Sequence, residues 1–135
     1  MGRWQILCNQ PLIVCDTGHN VGGWKYLSKQ IIHQECHQKH IVFGMVDDKD
    51  IDSVMELLPK DAIYYWSQAT THRAIPSQVV AQKGLAHGLV GRVYDSVESA
   101  YMAALAIAVP NDFFFIGGSS YIVSDLLACL ATPKE

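Results

Sequence analysis

Long apolar runs and paired cysteines are missing from this sequence of 135 residues. No apolar run approaches the roughly 20 residues that a membrane-spanning helix requires, and no secretory leader opens the chain. The four cysteines are too irregularly spaced for a disulfide framework or a C-x-x-C pair, so we expect a soluble, cytoplasmic protein without a membrane partner. Cys8, Cys15 and Cys129 lie in apolar surroundings and are expected to be small buried hydrophobic residues.

Strong charge and the common nucleotide motifs are also lacking. The net charge is −3 and Lys and Arg form no run, which argues against a nucleic acid partner. There is no G-x-x-x-x-G-K-S/T loop for phosphates, no G-x-G-x-x-G fingerprint for a dinucleotide and no G-x-S-x-G elbow for a hydrolase. The chain therefore carries no phosphate cradle of its own.

Four apolar runs are present, and each is followed by polar residues. Each run has four or five residues of largely β-branched or aromatic character, which is typical of a strand covered on both faces. Segments with helical spacing separate these runs, so we predict an α/β fold with a mostly parallel sheet in a single domain. The predicted strands are 12–15, 41–45, 62–66 and 113–116, and the predicted helices cover residues 24–31, 51–58, 76–81, 97–105 and 122–130.

Two of the predicted helices have local start signals. Asp95 and Glu98 resemble a capping pair for the helix over 97–105. Pro76 fits the first turn of a helix that runs through Ala81, where its missing N–H costs nothing. These signals set the expected amino-terminal boundaries of the two helices.

A cluster of histidines and one cysteine raises the alternative of a metal site. If the helix that begins near Val21 continued far enough, the cluster would lie within an arc of about 100°, and His with Cys at such spacing is a plausible zinc set. The intervening Gln, Glu and Lys residues are instead typical of a solvated helix end. We favour that interpretation and assign no metal ligand to the cluster, which comprises His33, Cys36, His37 and His40.

The segment Asp16-Thr17-Gly18-His19-Asn20 directly follows the first predicted strand. The carboxyl ends of parallel strands meet at one edge of a sheet, where open α/β sheets bind ligands. Asp16 and Asn20 can alternatively cap the next helix, but that leaves His19 without a role. Because polar loops follow all four predicted strands, we expect a functional site at this edge.

The loop after the last predicted strand has the same two interpretations. Gly117 and Gly118 permit a tight turn, and Ser119 or Ser120 can cap the following helix. Exposed amides at a helix start beside hydroxyls can also bind an anion.

Several of these motifs together resemble one family. Gly2-Arg3, Asp16 through Asn20, Gly44 through Lys49-Asp50, Arg73-Ala74 and Gly118-Ser119 have the order and spacing of the carboxy-terminal domain of folylpolyglutamate synthase/dihydrofolate synthase, in the Mur ligase superfamily. The resemblance spans nearly the whole chain and about the last third of a typical family member. It implies a Rossmann-like three-layer αβα sandwich over residues 1–135, with the family's amino-terminal ATP-binding domain outside this chain.

The resemblance also implies an activity, that of an ATP-dependent amide ligase. In this family ATP phosphorylates the carboxylate of dihydropteroate or a folate, and the amine of L-glutamate attacks the acyl phosphate. The expected cofactors are ATP and Mg²⁺, with the Mg²⁺ ligands in the amino-terminal part of the family. The expected partners are these substrates and the protein's own amino-terminal ATPase domain, in a monomer whose isolated carboxy-terminal domain is inactive.

Site residues follow from the same resemblance. Arg3 matches a residue that contacts the ATP phosphates, and Asp16 matches one that accepts from the ribose hydroxyls. His19 and Asn20 match catalytic positions near the incoming glutamate and the acyl phosphate, and Ser119 matches a residue that holds the glutamate carboxylate. Ordinary surface positions are the alternative for the arginines. The resemblance places four further residues at the active-site edge without a defined role: Lys49, Asp50, Arg73 and Ser120.

Three residues depart from the family pattern. Gly18 stands where alanine is usual and Val21 replaces a frequent proline, so this loop is expected to be more mobile. Ser120 replaces a frequent aromatic residue, which changes the expected packing around glutamate. Two alternative functions remain at this point: the equivalent domain of a peptidoglycan Mur ligase, and a non-catalytic flavodoxin-like binding or receiver module. Against a receiver, no acidic pair follows the first strand, although Asp47-Asp48 follows the second.

Overall fold

The computed structural model describes residues 3–46 and 50–131, and within these ranges strands alternate with helices after an initial hairpin. The sheet has the strand order β1-β2-β6-β3-β4-β5, in which β1 is antiparallel to β2 and the other neighbours are parallel. The predicted α/β class and mostly parallel sheet are therefore confirmed. The elements are β1 (Gln5–Asn9), β2 (Leu12–Asp16), α1 (Val21–Ile32), β3 (Lys39–Phe43), α2 (Ile51–Leu57), β4 (Ala62–Trp66), α3 (Ser77–Ala86), β5 (Val90–Val93), α4 (Val97–Ile107), β6 (Phe113–Gly117) and α5 (Ser120–Ala131).

Helices cover both faces of the sheet, as a three-layer αβα sandwich requires. The apolar sides of α1, α2 and α3 pack on one face, and those of α4 and α5 pack on the other. Successive side chains of the central strand β6 pack alternately into the two cores, with Phe113 and Phe115 on the α1 side and Phe114 on the α5 side. Each fully buried ring contributes on the order of 1.5–3 kcal/mol, which explains why this strand is uniformly apolar.

The sequence did not predict the two edge strands. In β1 no residue is fully buried, and all four residues of β5 are exposed. Neither strand has an unbroken apolar run, because an edge strand at the rim of the sheet does not need one. The antiparallel β1 matters for function, because its first residue pairs with Cys15 near the carboxyl end of β2.

Several local expectations need correction. The cap of α4 is Ser96, whose side chain accepts a hydrogen bond from the Ser99 amide, so Asp95 and Glu98 do not form the capping pair. Pro76 lies one residue before α3 rather than inside its first turn. Among the cysteines expected to be buried, Cys15 is buried, whereas Cys8 and Cys129 are only half-buried.

The histidine and cysteine cluster does not share one helical face. Helix α1 ends at Ile32, and His40 belongs to β3. No group of three or more His, Cys, Asp or Glu side chains within residues 3–46 and 50–131 is arranged to hold a metal ion. In the same ranges, no helix is long and apolar enough to span a bilayer.

Main-chain atoms of three strand-end loops pack directly against one another. Gly118 has a φ of +110°, and a Cβ atom there would lie 2.1 Å from the carbonyl oxygen of Gly44. A Cβ atom on Gly44 would in turn lie 2.5 Å from the carbonyl oxygen of Ser67. Both positions therefore require glycine. This contact fixes the spacing of the loops that follow β6, β3 and β4.

Candidate functional site

The candidate site lies at the carboxyl edge of the sheet, as the strand-end loops predict. A cleft of about 680 Å³ opens between the start of β1 and the loop that joins β2 to α1. Four of the predicted site residues line this cleft, and they are Arg3, Asp16, His19 and Asn20. The structure therefore brings together residues that the sequence placed on two separate segments.

The hairpin of β1 and β2 accounts for this meeting. Because β1 is antiparallel, its beginning lies beside the end of β2, with Gln5 opposite Cys15. The Trp4 amide donates a 2.7 Å hydrogen bond to Oδ2 of Asp16, and the Trp4 ring stacks on Phe113 at 6.1 Å. Arg3 is exposed next to this anchored residue. An arginine and a carboxylate are thereby presented side by side.

Asp16 is 8% exposed and already accepts two main-chain hydrogen bonds. Besides the bond from Trp4, its Oδ1 atom accepts from the Gly18 amide at 2.8 Å, which shapes the turn before α1. Each carboxylate oxygen retains a further acceptor position, so Asp16 can still bind hydroxyl groups in the cleft. The residue combines a structural role with the capacity to bind a ligand.

Asn20 caps helix α1. Its Oδ1 atom accepts a 2.9 Å hydrogen bond from the Gly23 amide, so the capping interpretation of Asn20 is confirmed. His19 is exposed, and its Nδ1 atom is 3.4 Å from the carbonyl oxygen of Thr17. That long contact leaves the imidazole available to a ligand in the cleft. The catalytic roles of His19 and Asn20 stay predictions.

The remaining predicted residues lie outside the cleft lining. Ser119 is 1% exposed, and its hydroxyl accepts a 3.2 Å hydrogen bond from the Ile122 amide at the start of α5. Ser120 is the exposed first residue of that helix. Asp50 precedes α2 and makes no side-chain capping bond. Lys49 lies outside the residues that the structure describes, so the binding roles of this set stay predictions.

Arg73 lies in the loop between β4 and α3. Its Nη1 atom donates a 3.3 Å hydrogen bond to the Tyr121 hydroxyl, and its Cζ atom lies 5.7 Å from the centre of that ring. Sequence reasoning did not single out Tyr121, nor Trp4 and Tyr26, which both line the cleft. The available signal was that Tyr121 lies close in sequence to Ser119 and Trp4 lies next to Arg3, whereas Tyr26 lies inside helix α1.

Comparisons with known proteins identify the family to which this fold and cleft belong. The family model for the Mur ligase, glutamate ligase domain, matches residues 2–120. The Escherichia coli dihydrofolate synthase/folylpolyglutamate synthase is 30% identical over 135 residues, which is 99% of this chain but 31% of that protein. This chain therefore spans about a third of the length of such relatives.

Solved structures show the same arrangement of elements. Escherichia coli FolC in complex with DHPP and ADP matches with a TM-score of 0.86 and 25% identity, over 96% of this chain and 31% of that one. A bifunctional folylpolyglutamate synthase/dihydrofolate synthase with Mn, AMPPNP and L-glutamate bound matches with a TM-score of 0.84 and 26% identity, over 97% and 32%. The chain thus belongs to the Mur ligase family and forms a glutamate ligase domain of the type found in these synthases.

Proposed function

We propose that this chain is the carboxy-terminal domain of an ATP-dependent amide ligase that adds L-glutamate to dihydropteroate or folates. The observation that carries the proposal is the cleft in which Arg3, Asp16 and His19 converge, in a chain whose relatives are dihydrofolate synthase/folylpolyglutamate synthases. These relatives favour this function over that of a peptidoglycan ligase domain. The family match likewise favours it over a flavodoxin-like or receiver module.

The chemistry of the proposed reaction explains the residue types. The γ-phosphoryl group of ATP is transferred to an oxygen of the substrate carboxylate, which releases ADP and gives an acyl phosphate. The glutamate amine then attacks the acyl carbon and loses a proton, and the C–O bond breaks to release phosphate. Since the reaction requires alignment and charge neutralisation, the protein has to supply fixed cations and hydrogen-bonding groups.

The individual roles proposed here are those that the family resemblance implies, and the placement of Arg3, Asp16, His19 and Asn20 around one cleft supports them. Arg3 is proposed to contact the ATP phosphates with its planar cationic fork. Asp16 accepts from the ribose hydroxyls through its free acceptor positions. His19 and Asn20 face the acyl phosphate and the incoming amine, and Ser119 can donate its hydroxyl to the glutamate carboxylate while it accepts from Ile122.

A divalent cation is supported by the related structure that was solved with Mn, and Mg²⁺ is the ion predicted here. The described residues offer no cluster of three metal-binding side chains, and the Mg²⁺ ligands are expected in the amino-terminal domain of the family. The proposed partner is the protein's own amino-terminal ATPase domain, because relatives are about three times as long. A monomeric state and a cytoplasmic location stay predictions.

The nucleotide part of the proposal is tested by titrating the ¹⁵N-labelled chain with ADP. The expected result is a set of saturable shifts confined to the amides of the cleft, around residues 16–20. Asp16→Ala should weaken ADP binding in this titration about tenfold, whereas Arg92→Ala, a change at an exposed arginine of β5, should leave it intact. Shifts distributed evenly over the surface, or none, would contradict a nucleotide site.

The choice of amino acid is tested in a fusion of this chain to the amino-terminal two thirds of the Escherichia coli relative. We expect ADP release that depends on both dihydropteroate and L-glutamate. D-glutamate should not replace L-glutamate. A fusion that prefers D-glutamate, or one that binds ADP but accepts no amino acid, would contradict the proposed function.

A further inference from the structure

The main chain of Trp4, directly before β1, has an unfavourable conformation. Its φ is +41°, and among the residues that the structure describes no other residue with a side chain has a positive φ. A left-handed conformation costs energy in any residue except glycine, and it persists only where the surrounding contacts hold it. A tryptophan at this position therefore needs a local reason.

Trp4 is held in this conformation by its main chain and by its ring. Its amide donates a 2.7 Å hydrogen bond to Oδ2 of Asp16. The indole ring stacks on Phe113 with ring centres 6.1 Å apart, and it packs on Phe115 at 6.3 Å. Both phenylalanines are fully buried in β6, so the indole rests on a rigid part of the core. The main chain that follows Arg3 is therefore fixed.

The other side of the cleft is held on the same phenylalanine. The Trp24 ring of α1 packs edge-on against Phe115, with ring centres 5.4 Å apart. The Nε1 atom of Trp24 donates a 3.2 Å hydrogen bond to the carbonyl oxygen of Gly18, in the loop that follows Asp16. Because both sides of the cleft pack on one buried ring, the main chain at Arg3 and the carboxylate of Asp16 have a fixed separation.

A nucleotide in the cleft requires such a fixed separation. In the proposed function, Asp16 accepts from the ribose hydroxyls and Arg3 contacts the phosphates, and the bonds of the nucleotide limit the distance between these groups. We propose that Trp4 is a positioning residue that places Arg3 at the distance from Asp16 that a nucleoside diphosphate requires. Such preorganisation raises affinity, because less freedom is lost on binding. The inference rests on the proposed function, since that function supplies the nucleotide.

The test compares ADP with adenosine, which has the ribose but no phosphate, by titration of ¹⁵N-labelled variants. Trp4→Leu removes the aromatic ring and should lower ADP affinity about fivefold, because Arg3 keeps its charge but loses its fixed position. Adenosine affinity should stay within about twofold of the parent, since the loop after Asp16 keeps its own contacts. Trp4→Phe keeps a ring for stacking and should retain ADP affinity to within about twofold.

A double-mutant cycle shows whether Trp4 acts through Arg3. Arg3→Ala alone should lower ADP affinity about tenfold, as expected for charged hydrogen bonds. In that background Trp4→Leu should change ADP affinity by less than about twofold, because the group that it positions is absent. The matched control is Tyr94→Leu, which removes a half-buried ring that packs on Tyr65 near the opposite end of the sheet. This change should alter neither affinity.

One measurement requires no variant. Relaxation of ¹⁵N in the parent chain without nucleotide should give order parameters of about 0.8 or above for the Arg3 and Trp4 amides, as in rigid backbone. Values below this range would show that Arg3 is not held before the nucleotide binds. They would overturn the proposal even if Trp4→Leu failed to fold.

Three results with folded variants would also overturn the role of Trp4. They are parental ADP affinity in Trp4→Leu, an equal loss of ADP and adenosine affinity in Trp4→Leu, and a loss of ADP affinity from Trp4→Leu that persists in the Arg3→Ala background. If the parent chain binds ADP, these results leave the proposed ligase function standing. A parent chain that does not bind ADP would count against that function and, with it, against the inference.

Discussion

The two edges of the sheet both carry clustered polar side chains, but they use them differently. At the amino edge, His40 and Asp112 are 1% and 4% exposed, and their Nε2 and Oδ2 atoms are 2.8 Å apart. At the carboxyl edge, His19 and Arg73 are exposed and each has one weak or neutral contact. A cluster whose hydrogen bonds are closed among its own members stabilises the fold, whereas one with free bonding capacity is suited to a ligand.

The buried polar side-chain atoms of the amino-edge cluster all have hydrogen-bond partners. Tyr65 and Asp112 contact the two ring nitrogens of His40, each at 2.8 Å. Asp112 also contacts the His37 ring at 3.0 Å and accepts from the Val109 amide at 3.1 Å. Burial raises the pKa of Asp112, but the hydrogen bonds from His40, Val109 and His37 outweigh it, so the net shift is downward. Burial likewise raises the pKa of Tyr65 to about 12.

The largest expected effect is at this closed cluster. Asp112→Ala leaves the buried Nε2 atom of His40 and the Val109 amide without their hydrogen-bond partner, and each polar group left unsatisfied in this way costs about 1–3 kcal/mol, or about 2–6 kcal/mol for the two. We expect a loss of that size in the free energy of unfolding, measured in urea at neutral pH. Glu35→Ala, at an exposed acidic residue, is the matched control and should change the value by less than about 0.5 kcal/mol. Equal effects of the two changes would contradict the contrast between the edges.

Asp16 is hydrogen-bonded within the fold and also lines the cleft. Its replacement should therefore affect both stability and ligand binding, with a smaller loss of stability than at Asp112. Asp16→Ala removes the acceptor for the Trp4 and Gly18 amides, so we expect a loss of about 1–3 kcal/mol in unfolding free energy. ADP affinity should fall about tenfold in the same variant, because the ribose contact is lost. Calorimetric titration and urea unfolding measure the two effects. A large loss of stability with parental ADP affinity would contradict the nucleotide-binding role of Asp16 and support only its structural role in the turn.

His19 should affect activity with little change in stability. His19→Ala in the fusion ligase is expected to lower kcat/KM for L-glutamate at least about tenfold, since a positioned polar group near developing charge has this effect or more. The melting temperature should stay near that of the parent, because the side chain is exposed. Steady-state kinetics decide the matter. Parental kcat/KM would place His19 with the structural residues.

The smallest expected effect is a pH dependence at the surface cluster that His87, after α3, forms with Asp52 and Glu56 of α2. Hydrogen bonds to Asp52 and Glu56 raise the pKa of His87 above 6.5. The stabilisation from these contacts is therefore complete below pH 6.5 and is lost as the pH rises through the elevated pKa of the folded state. We expect a slight fall in melting temperature over that upper range, which His87→Gln should abolish. His72→Gln, at an exposed histidine, should retain the fall.

The contrast between the edges also shows what the sequence could predict. The apolar runs of β2, β3, β4 and β6 and the spacing within the helices were sufficient for the layers, because burial on both faces leaves a local pattern. The edge strands β1 and β5 leave no such pattern. The strand-end rule placed the Asp16 loop correctly at the carboxyl edge.

The contacts that distinguish the two edges could not be predicted from local sequence patterns. His40 and Asp112 are 72 positions apart, and Arg73 and Tyr121 are 48 apart. His40 resembled part of a metal cluster with its neighbours in sequence, but its partner is supplied by strand pairing between β3 and β6. Arg73 was assigned to the active-site edge by resemblance, and its contact with Tyr121 of helix α5 was not predicted.

The main-chain contact between Gly118 and Gly44 also bears on how this scaffold can be altered. Because the loops touch there through atoms that every residue possesses, their outward side chains can be exchanged without changing the distance between loops. A redesign for a different amino acid can therefore begin with Ser120, Tyr121 and Arg73, none of which is buried. Gly118 has to be retained, since any side chain at that position would collide with the main chain of Gly44 and separate the two loops.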